Sequence, residues 1–531
     1  MRQFIGKPQL RLLAFIVVGC VLLSARAYAG FWDTVGELAD TTLAMFDEEN
    51  AKPSGEALAL SPVSVKLLYD AKKAVSEEQK TPYQLTEDDK TLIARQQWRY
   101  FMGHNSVFDS DVFVLEAGDA AKPALLLIHG LGQNGLRDWL NVIPEFENRY
   151  HIIALDLPGF GLSPMVPGKY SPTNFALVAH QAALAFGLKN YTVVGHSMGG
   201  AVALRYASLF SDEMNHLVLV DAAGILERTA FLKHAVEFPA KLYGLPDVSV
   251  KWIAGVEQFG QSLLETVTSW PDGLEYVRKF KFAWNQTLAR NPNMNAATAL
   301  IYEDFAAAAH ETPVATSIIW GEDDGVTPLR TGVMLNSTLK KSALHTIPEC
   351  GHTPMREKPR QFNKLLASAL KTPPVRRSES TMRATQSEKK LLIENETNRS
   401  YSGDYGEVEI IESTAIRLNN LNARHLRVTR SSAVLQNVQL ASDTTGIIAL
   451  DAAVEGTNVT IAAGNGILAD NSRIDLANAH IVCDGEAVNV AEDSQIIFSA
   501  SKIATPGYRG YAHGQFRTEN TTLKFTPEAQ P

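Results

Sequence analysis

Cysteine is scarce: the 531 residues hold three, at positions 20, 350 and 483. There is no C-x-x-C and no Cys/His cluster with zinc spacing, which argues against a zinc module or a disulfide-stapled scaffold. A basic excess is missing too; the net charge of -9 leaves no electrostatic footprint for nucleic acid. Long low-complexity blocks are absent. With 45% hydrophobic and 20% charged residues, the composition is that of a globular protein, and the length calls for two or more domains.

One apolar run stands out, Leu12 to Leu23. Arg2, Lys7 and Arg11 precede it and Ala27-Tyr28-Ala29 follows. This is the layout of a secretory signal peptide over residues 1–29, with a run short for a membrane-spanning helix. The expected location is therefore exported, periplasmic or secreted. Two alternatives stay open, an uncleaved anchor and a lipoprotein acylated at Cys20 of Val17-Val18-Gly19-Cys20. Apolar Val21-Leu22-Leu23 speaks against the second. Cleavage would leave Cys350 and Cys483 in separate domains, so no structural disulfide is expected.

Residues 30–99 read as an N-terminal helix and linker. Phe31, Trp32, Val35, Leu38, Leu43 and Phe46 recur at helical spacing. The polar face carries Asp33, Glu37, Asp40 and Asp47, which favours packing on the main domain over an anionic membrane surface. Lys52 to Gln84, with three prolines, reads as linker with a short helix around Val65 to Val75.

Over residues 100–370 short apolar runs alternate with helical stretches. The strand candidates are 112–116, 124–128, 151–155, 191–194, 217–220, 317–320 and 343–347; 174–185 and 200–210 read as helices. This alternation predicts an α/β fold with a doubly wound sheet covered on both faces. The strand signal lapses over 224–311. That stretch is rich in aromatics from Phe231 to Trp284, and is expected to form a helical cap over the sheet edge. Polar residues 371–405, with Pro373-Pro374, read as a linker.

Residues 406–531 repeat. Ile447, Ile467 and Val488 fall in one column, Val454, Ile474 and Ile496 in a second, and Ile461, Ile481 and Ile503 in a third. Val428, Val434 and Leu440 extend the columns one turn upstream. The period of 20 to 22 residues predicts an all-β repeat domain, a parallel β-solenoid in preference to a small β-sandwich.

The chemistry sits in the α/β part. Tyr191 to Val194 leads into Gly195-His196-Ser197-Met198-Gly199-Gly200 and then a helix. Strand, G-x-S-x-G, helix is the setting of a nucleophile elbow, which places Ser197 at a helix N-terminus. Upstream, strand 124–128 enters His129-Gly130-Leu131-Gly132. The backbone N–H groups of Leu131 and Met198 are the candidate oxyanion hole. A serine hydroxyl needs a base and an acid to orient that base. His352, after strand 343–347, is the candidate base. Asp324, in Gly321-Glu322-Asp323-Asp324-Gly325, is the candidate acid, with Asp323 beside it and Asp221 after strand 217–220 as the other choice. Asp156 is expected to shape a turn, His196 to be packed, and His129 to hold the oxyanion loop.

From about Val112 to Leu370 the chain resembles the α/β-hydrolase superfamily, specifically bacterial esterases, lipases and monoacylglycerol-lipase-like serine hydrolases. The resemblance lies in HGLG (129–132), DLPGFGLS (156–163), GHSMGG (195–200), WGEDDGVTP (320–328) and GHTPMREKP (351–359). The family's acid motif, G-x-x-D-x-x-x-P, fits Gly321, Asp324 and Pro328 and so implies Asp324. The resemblance implies hydrolysis of a small apolar ester or lipid with no metal or organic cofactor. It leaves C–C bond hydrolysis as an alternative within the fold, and does not cover the repeat domain. A third reading is a surface-binding or adhesion protein acting through that domain, with membrane or cell-surface contact made there or through the N-terminal helix.

Overall fold

The computed structural model describes residues 98–132, 135–227, 291–376, 387–491, 493–517 and 523–525, with positions 69–70, 96, 230 and 385. The signal segment, the 31–46 helix and the aromatic stretch Phe231–Trp284 lie outside the described residues.

The first body is a nine-stranded sheet. Its strands are β1 (Tyr69–Asp70), β2 (Arg99–Asn105), β3 (Ser110–Ala117), β4 (Ala124–Ile128), β5 (His151–Leu155), β6 (Tyr191–His196), β7 (Met214–Val220), β8 (Ala315–Gly321) and β9 (Ser342–Ile347). They lie in the order β1-β2-β3-β5-β4-β6-β7-β8-β9. Pairing is parallel from β5 through β9 and antiparallel among β1, β2, β3 and β5. Alternation explains the two layers. Leu126, Ile128, Ile153, Leu155, Val193, Leu217 and Ile318 bury into one face, and Leu125, Leu127, Ile152, Ala154, Val194, Val218 and Ile319 into the other. Helices α1 (Pro172–Ala185) and α2 (Met198–Leu209) cover the first face. Further along come α3 (Pro292–Tyr302), α4 (Ala306–Glu311), α5 (Leu329–Thr338) and α6 (Pro359–Lys371). Phe362 and Leu366 of α6 help close the second face.

Two N-terminal readings need correction. Strand β2 was not anticipated: Arg99 and Tyr100 are exposed and His104 and Asn105 are polar, so it lacks the continuous apolar run that marks the central strands. Tyr69 and Asp70, inside the expected helix around 65–75, instead pair antiparallel with Gly103 and Met102, using the open edge of β2. Of the 224–311 insertion, the described flanks are Gly224–Glu227, α3 and α4.

The second body is a stack of parallel coils with an apolar interior. Its register matches all three sequence columns. Ile447 pairs with Ile467 and Ile467 with Val488, Val454 with Ile474 and Ile474 with Ile496, Ile461 with Ile481 and Ile481 with Ile503. Upstream the extrapolation slips. Leu440 pairs with Ile461 as expected, but Leu426, not Val428, faces Ile447, and Ala433, not Val434, faces Val454. Val434 therefore points outward and is 39% exposed. The linker reading of 371–405 is also too long, because strands Lys390–Glu394 and Ser400–Asp404 already belong to the first coil. Their outward charges mask a single inward Ile393. An antiparallel strand, Tyr508–Arg517, covers the last coil. The two bodies are packed together: Ala477 and Ala500 of the stack join the apolar cluster beneath the sheet helices. Among the described residues no helix is long and apolar enough to cross a membrane.

Candidate active site

Ser197 follows β6 and caps α2 with φ 53° and ψ -120°, a conformation that L-residues avoid. Its amide donates to the Val220 carbonyl (2.9 Å), and its own carbonyl accepts from Gly200 (2.9 Å) and Ala223 (3.0 Å). These bonds hold the strained turn from both sides. The flanking glycines have steric reasons. A Cβ on Gly195 would lie 2.1 Å from the Gly199 carbonyl oxygen, and one on Gly199 would lie 2.4 Å from the carbonyl oxygens of Ile128 and His129. The elbow is thereby pressed against the end of β4. Gly130 meets Ser197 in the same way, since a Cβ there would be 3.0 Å from that of Ser197. The turn carrying Leu131 is thus brought to the nucleophile. Met198 opens α2, where a backbone N–H has no acceptor within the helix and the helix dipole favours negative charge.

The three side chains read from the sequence meet. His352 Nδ1 donates to Asp324 Oδ2 at 2.8 Å, and His352 Nε2 lies 2.8 Å from Ser197 Oγ, placed to accept the hydroxyl proton. All three residues are buried. Burial alone would raise the Asp324 carboxyl, but the neighbouring His352 and the hydrogen bonds from Thr327 outweigh it and hold the group below its ordinary range. Asp324 Oδ1 accepts from the amides of Val326 (2.7 Å) and Thr327 (2.9 Å), and Oδ2 from the Thr327 hydroxyl.

The rival acids separate cleanly. Asp323 is exposed and enters the loop through its amide, which donates to the Cys350 carbonyl (2.9 Å). Asp221 is fully buried and accepts from the Gly321 amide (2.9 Å). Burial, then the charge of Asp324, pushes its carboxyl well up, opposite to the shift of Asp324. Asp221, Asp324 and His352 form the one cluster among the described residues with metal-ligand atoms within 4.8 Å of one another. With Asp221 pushed toward its neutral form and His352 hydrogen-bonded to Asp324, that donor set suits a proton relay better than a cation.

The supporting residues follow their expectations or add to them. His129 holds the oxyanion turn. Its Nε2 accepts from Leu157 (3.0 Å), which leaves Nδ1–H to donate to the Gly130 carbonyl (2.6 Å). Asp156 shapes turns on both sides, accepting from Leu136 (2.5 Å) and Leu162 (2.8 Å). His196 is packed, and also does more. Its Nε2 donates to the His352 carbonyl (2.8 Å), while Nδ1 faces Asp138 at 3.4 Å. Glu357 brackets the base, accepting from the amides of Gly351 (2.7 Å) and Thr353 (3.0 Å). Thr327 and Glu357 lie inside motifs already noted, but their roles were not read. Asp138 carries no local signal.

A model of the family described as alpha/beta hydrolase fold matches residues 123–359. An uncharacterized protein of Mycobacterium tuberculosis is 29% identical over 254 residues, 45% of this chain and 73% of the relative. The 2-hydroxy-6-oxo-6-(2'-aminophenyl)hexa-2,4-dienoic acid hydrolase of Metapseudomonas resinovorans is 27% identical over 259 residues, 48% and 86% of the two chains. Among solved structures, a bacterial membrane phospholipase A is similar at 22% identity and a TM-score of 0.39, over 53% of this chain and 88% of that one.

Proposed function

Because residues 123–359 form an α/β-hydrolase domain, we propose that this protein is a serine hydrolase of carboxylic esters, acting on small apolar or lipid esters. The relay Ser197–His352–Asp324, with both separations at 2.8 Å, carries the proposal. Ser197 Oγ attacks the acyl carbon as its proton passes to His352 Nε2. Asp324, ionised, stabilises the imidazolium through Nδ1–H. The tetrahedral oxyanion is received by the N–H groups of Leu131 and Met198. His352 then returns the proton to the departing alkoxide, and a water activated by the same imidazole releases the acid from Ser197.

The competing reading is C–C bond hydrolysis, favoured by relatives such as the dienoic acid hydrolase of Metapseudomonas resinovorans. The export-like N-terminal segment supports the ester reading, because ring-cleavage products are intracellular catabolites. On the ester reading the protein is expected to act outside the cytoplasm. Turnover of a p-nitrophenyl ester chain-length series, measured beside a 2-hydroxy-6-oxodienoate, separates the two readings. We expect ester turnover, lost by a factor of about 10⁵ or more in Ser197→Ala. Dienoate cleavage without ester turnover would replace the proposal by the competing one. Ester turnover unchanged in Ser197→Ala would sink both.

A further inference from the structure

The coil stack touches the hydrolase domain at the segments that support the triad. On the nucleophile side, the Glu227 amide donates to Ser499 Oγ (2.9 Å), and Ser499 is wholly buried. Glu227 ends the described segment after β7, whose Ala223 amide donates to the Ser197 carbonyl. On the acid side, Arg330 lies in the first turn of α5, three residues beyond the Thr327 that binds Asp324. Its guanidinium donates to both carboxylate oxygens of Asp475 (2.7 and 3.0 Å), to Thr457 Oγ1 (2.8 Å) and to the Gly456 carbonyl (2.8 Å). A third contact lies between them. His310 of α4 donates from Nε2 to the Ala500 carbonyl (2.8 Å) and stacks on Tyr511 at 5.1 Å, and the Tyr511 hydroxyl donates to Glu311 (2.7 Å).

Ordinary domain contacts inside a chain are polar and wet, and permit relative motion. These contacts are different. Arg330 and Asp475 are nearly buried, their planar fork is fully engaged, and Ala477 and Ala500 sit in the hydrolase's own apolar cluster. Asp475, Thr457 and Ser499 also come from successive coils in fixed register. A rigid stack therefore grips the supports of Ser197 and Asp324 at a set separation.

We propose that the coils from Ala453 to Arg517 are a positioning element for the triad, with Ser499 acting on the nucleophile turn and Asp475, through Arg330, on the acid loop. This rests on the serine-hydrolase reading above, but not on the bond cleaved. The test is therefore the reactivity of Ser197 itself. In the full-length protein, the second-order rate of labelling by a fluorophosphonate would be measured for wild type, Ser499→Ala, Asp475→Ala and Asp475→Asn. Temperatures at which each variant is fully folded would be used, with hydrogen exchange read at the amides of Ala223, Glu227 and Thr327.

Labelling in Ser499→Ala and Asp475→Ala is expected to fall on the order of threefold to tenfold, the worth of one or two hydrogen bonds. Exchange at Ala223 should quicken in the first variant and at Thr327 in the second. Asp475→Asn keeps an acceptor and should recover part of the loss, and ester kcat should fall with KM nearly unchanged. Unaltered labelling with faster exchange confined to Glu227 would overturn the proposal, as would loss of labelling only where the variant begins to unfold. If wild type fails to label at all, the serine-hydrolase reading falls instead, and unaltered exchange at Ala223 and Thr327 would still overturn the brace.

Discussion

Left-handed backbone occurs in both bodies of this protein and means something different in each. In the hydrolase body it is scattered: Ser197 at φ 53° and Asp221 at φ 44° sit at the ends of neighbouring strands, Glu349 at φ 51° lies in the loop before His352, and Asp109 and Asn190 occupy turns away from the site. In the coil stack it is periodic. Asn395, Glu412, Arg430, Asp451 and Asn471 form one column of corners, and Asn420, Asn437, Asn458, Asn478 and Ala500 another. The second column is bonded along its length, Asn437 to Asn420 (3.0 Å), Asn458 to Asn437 (3.0 Å) and Asn478 to Asn458 (2.9 Å). Asparagine tolerates this region because its short amide satisfies the local backbone or a neighbour. The same dihedral marks a nucleophile and ordinary turns in one body and a repeated corner in the other, so it signals function only where catalytic groups converge on it.

The sharpest test of that contrast lies in the acid loop. Asp324→Asn should lower turnover by about 10⁴, as expected when the base loses its tautomer and its counter-charge. Asp323→Asn should stay within about twofold of wild type. Equal losses would mean that the buried and exposed acids are not distinguished as the geometry distinguishes them. Next comes the seam between the bodies. Arg330→Met strands a nearly buried Asp475 carboxylate, and urea unfolding should show a loss of about 3 to 5 kcal/mol, largely recovered by adding Asp475→Leu. A single shifted transition would show the bodies sharing one stability; two transitions, one unmoved, would separate them.

A pH effect of similar origin belongs to the hydrolase body alone. Burial raises Asp156 from 3.8 to about 7 against the pull of its two backbone donors. A folded-state value above the unfolded one means extra protons bound on folding, so this contribution is full below pH 4 and is lost as pH rises through about 7. The stability advantage of wild type over Asp156→Asn should shrink by at most about 4 kcal/mol across that window, followed by melting at each pH. The smallest effect is on the corners. Asn437→Ala should cost about 1 to 2 kcal/mol and Asn437→Gly about 0.5 kcal/mol or less, neither altering turnover. A large activity loss in either would break the distinction between functional and periodic strain.

Much of this was legible in the residues. The central strands announce themselves because both faces are buried and the runs are continuous. Ser197, Asp324 and His352 were found because each motif follows a strand end, and strand ends converge on one edge. The repeat columns were legible where the spacing is constant, at 20 to 22 residues. The next coil upstream pairs at 21, Leu426 with Ile447 and Ala433 with Val454, so Val428 and Val434, 19 and 20 residues back, miss the columns; farther upstream the coils pair at 17 or 18. The supports of the triad are another matter. Glu357 brackets His352 from within the same short motif, but His196 reaching the His352 carbonyl and Arg330 meeting Asp475 are contacts through space between segments far apart in the chain. No periodicity or local spacing encodes them.

The register of the stack also bears on how such a chain can vary over generations. Above Ala453 a whole coil could be gained or lost while every downstream residue keeps its neighbours, so that end is free to change length. Between Thr457 and Ser499 it is not. One additional coil there would shift Ser499 by about 4.8 Å relative to Thr457, and the two ends of the brace would no longer reach Glu227 and Arg330 together. Lineages carrying this architecture should therefore differ in coil number at the N-terminal end of the stack and agree at the other.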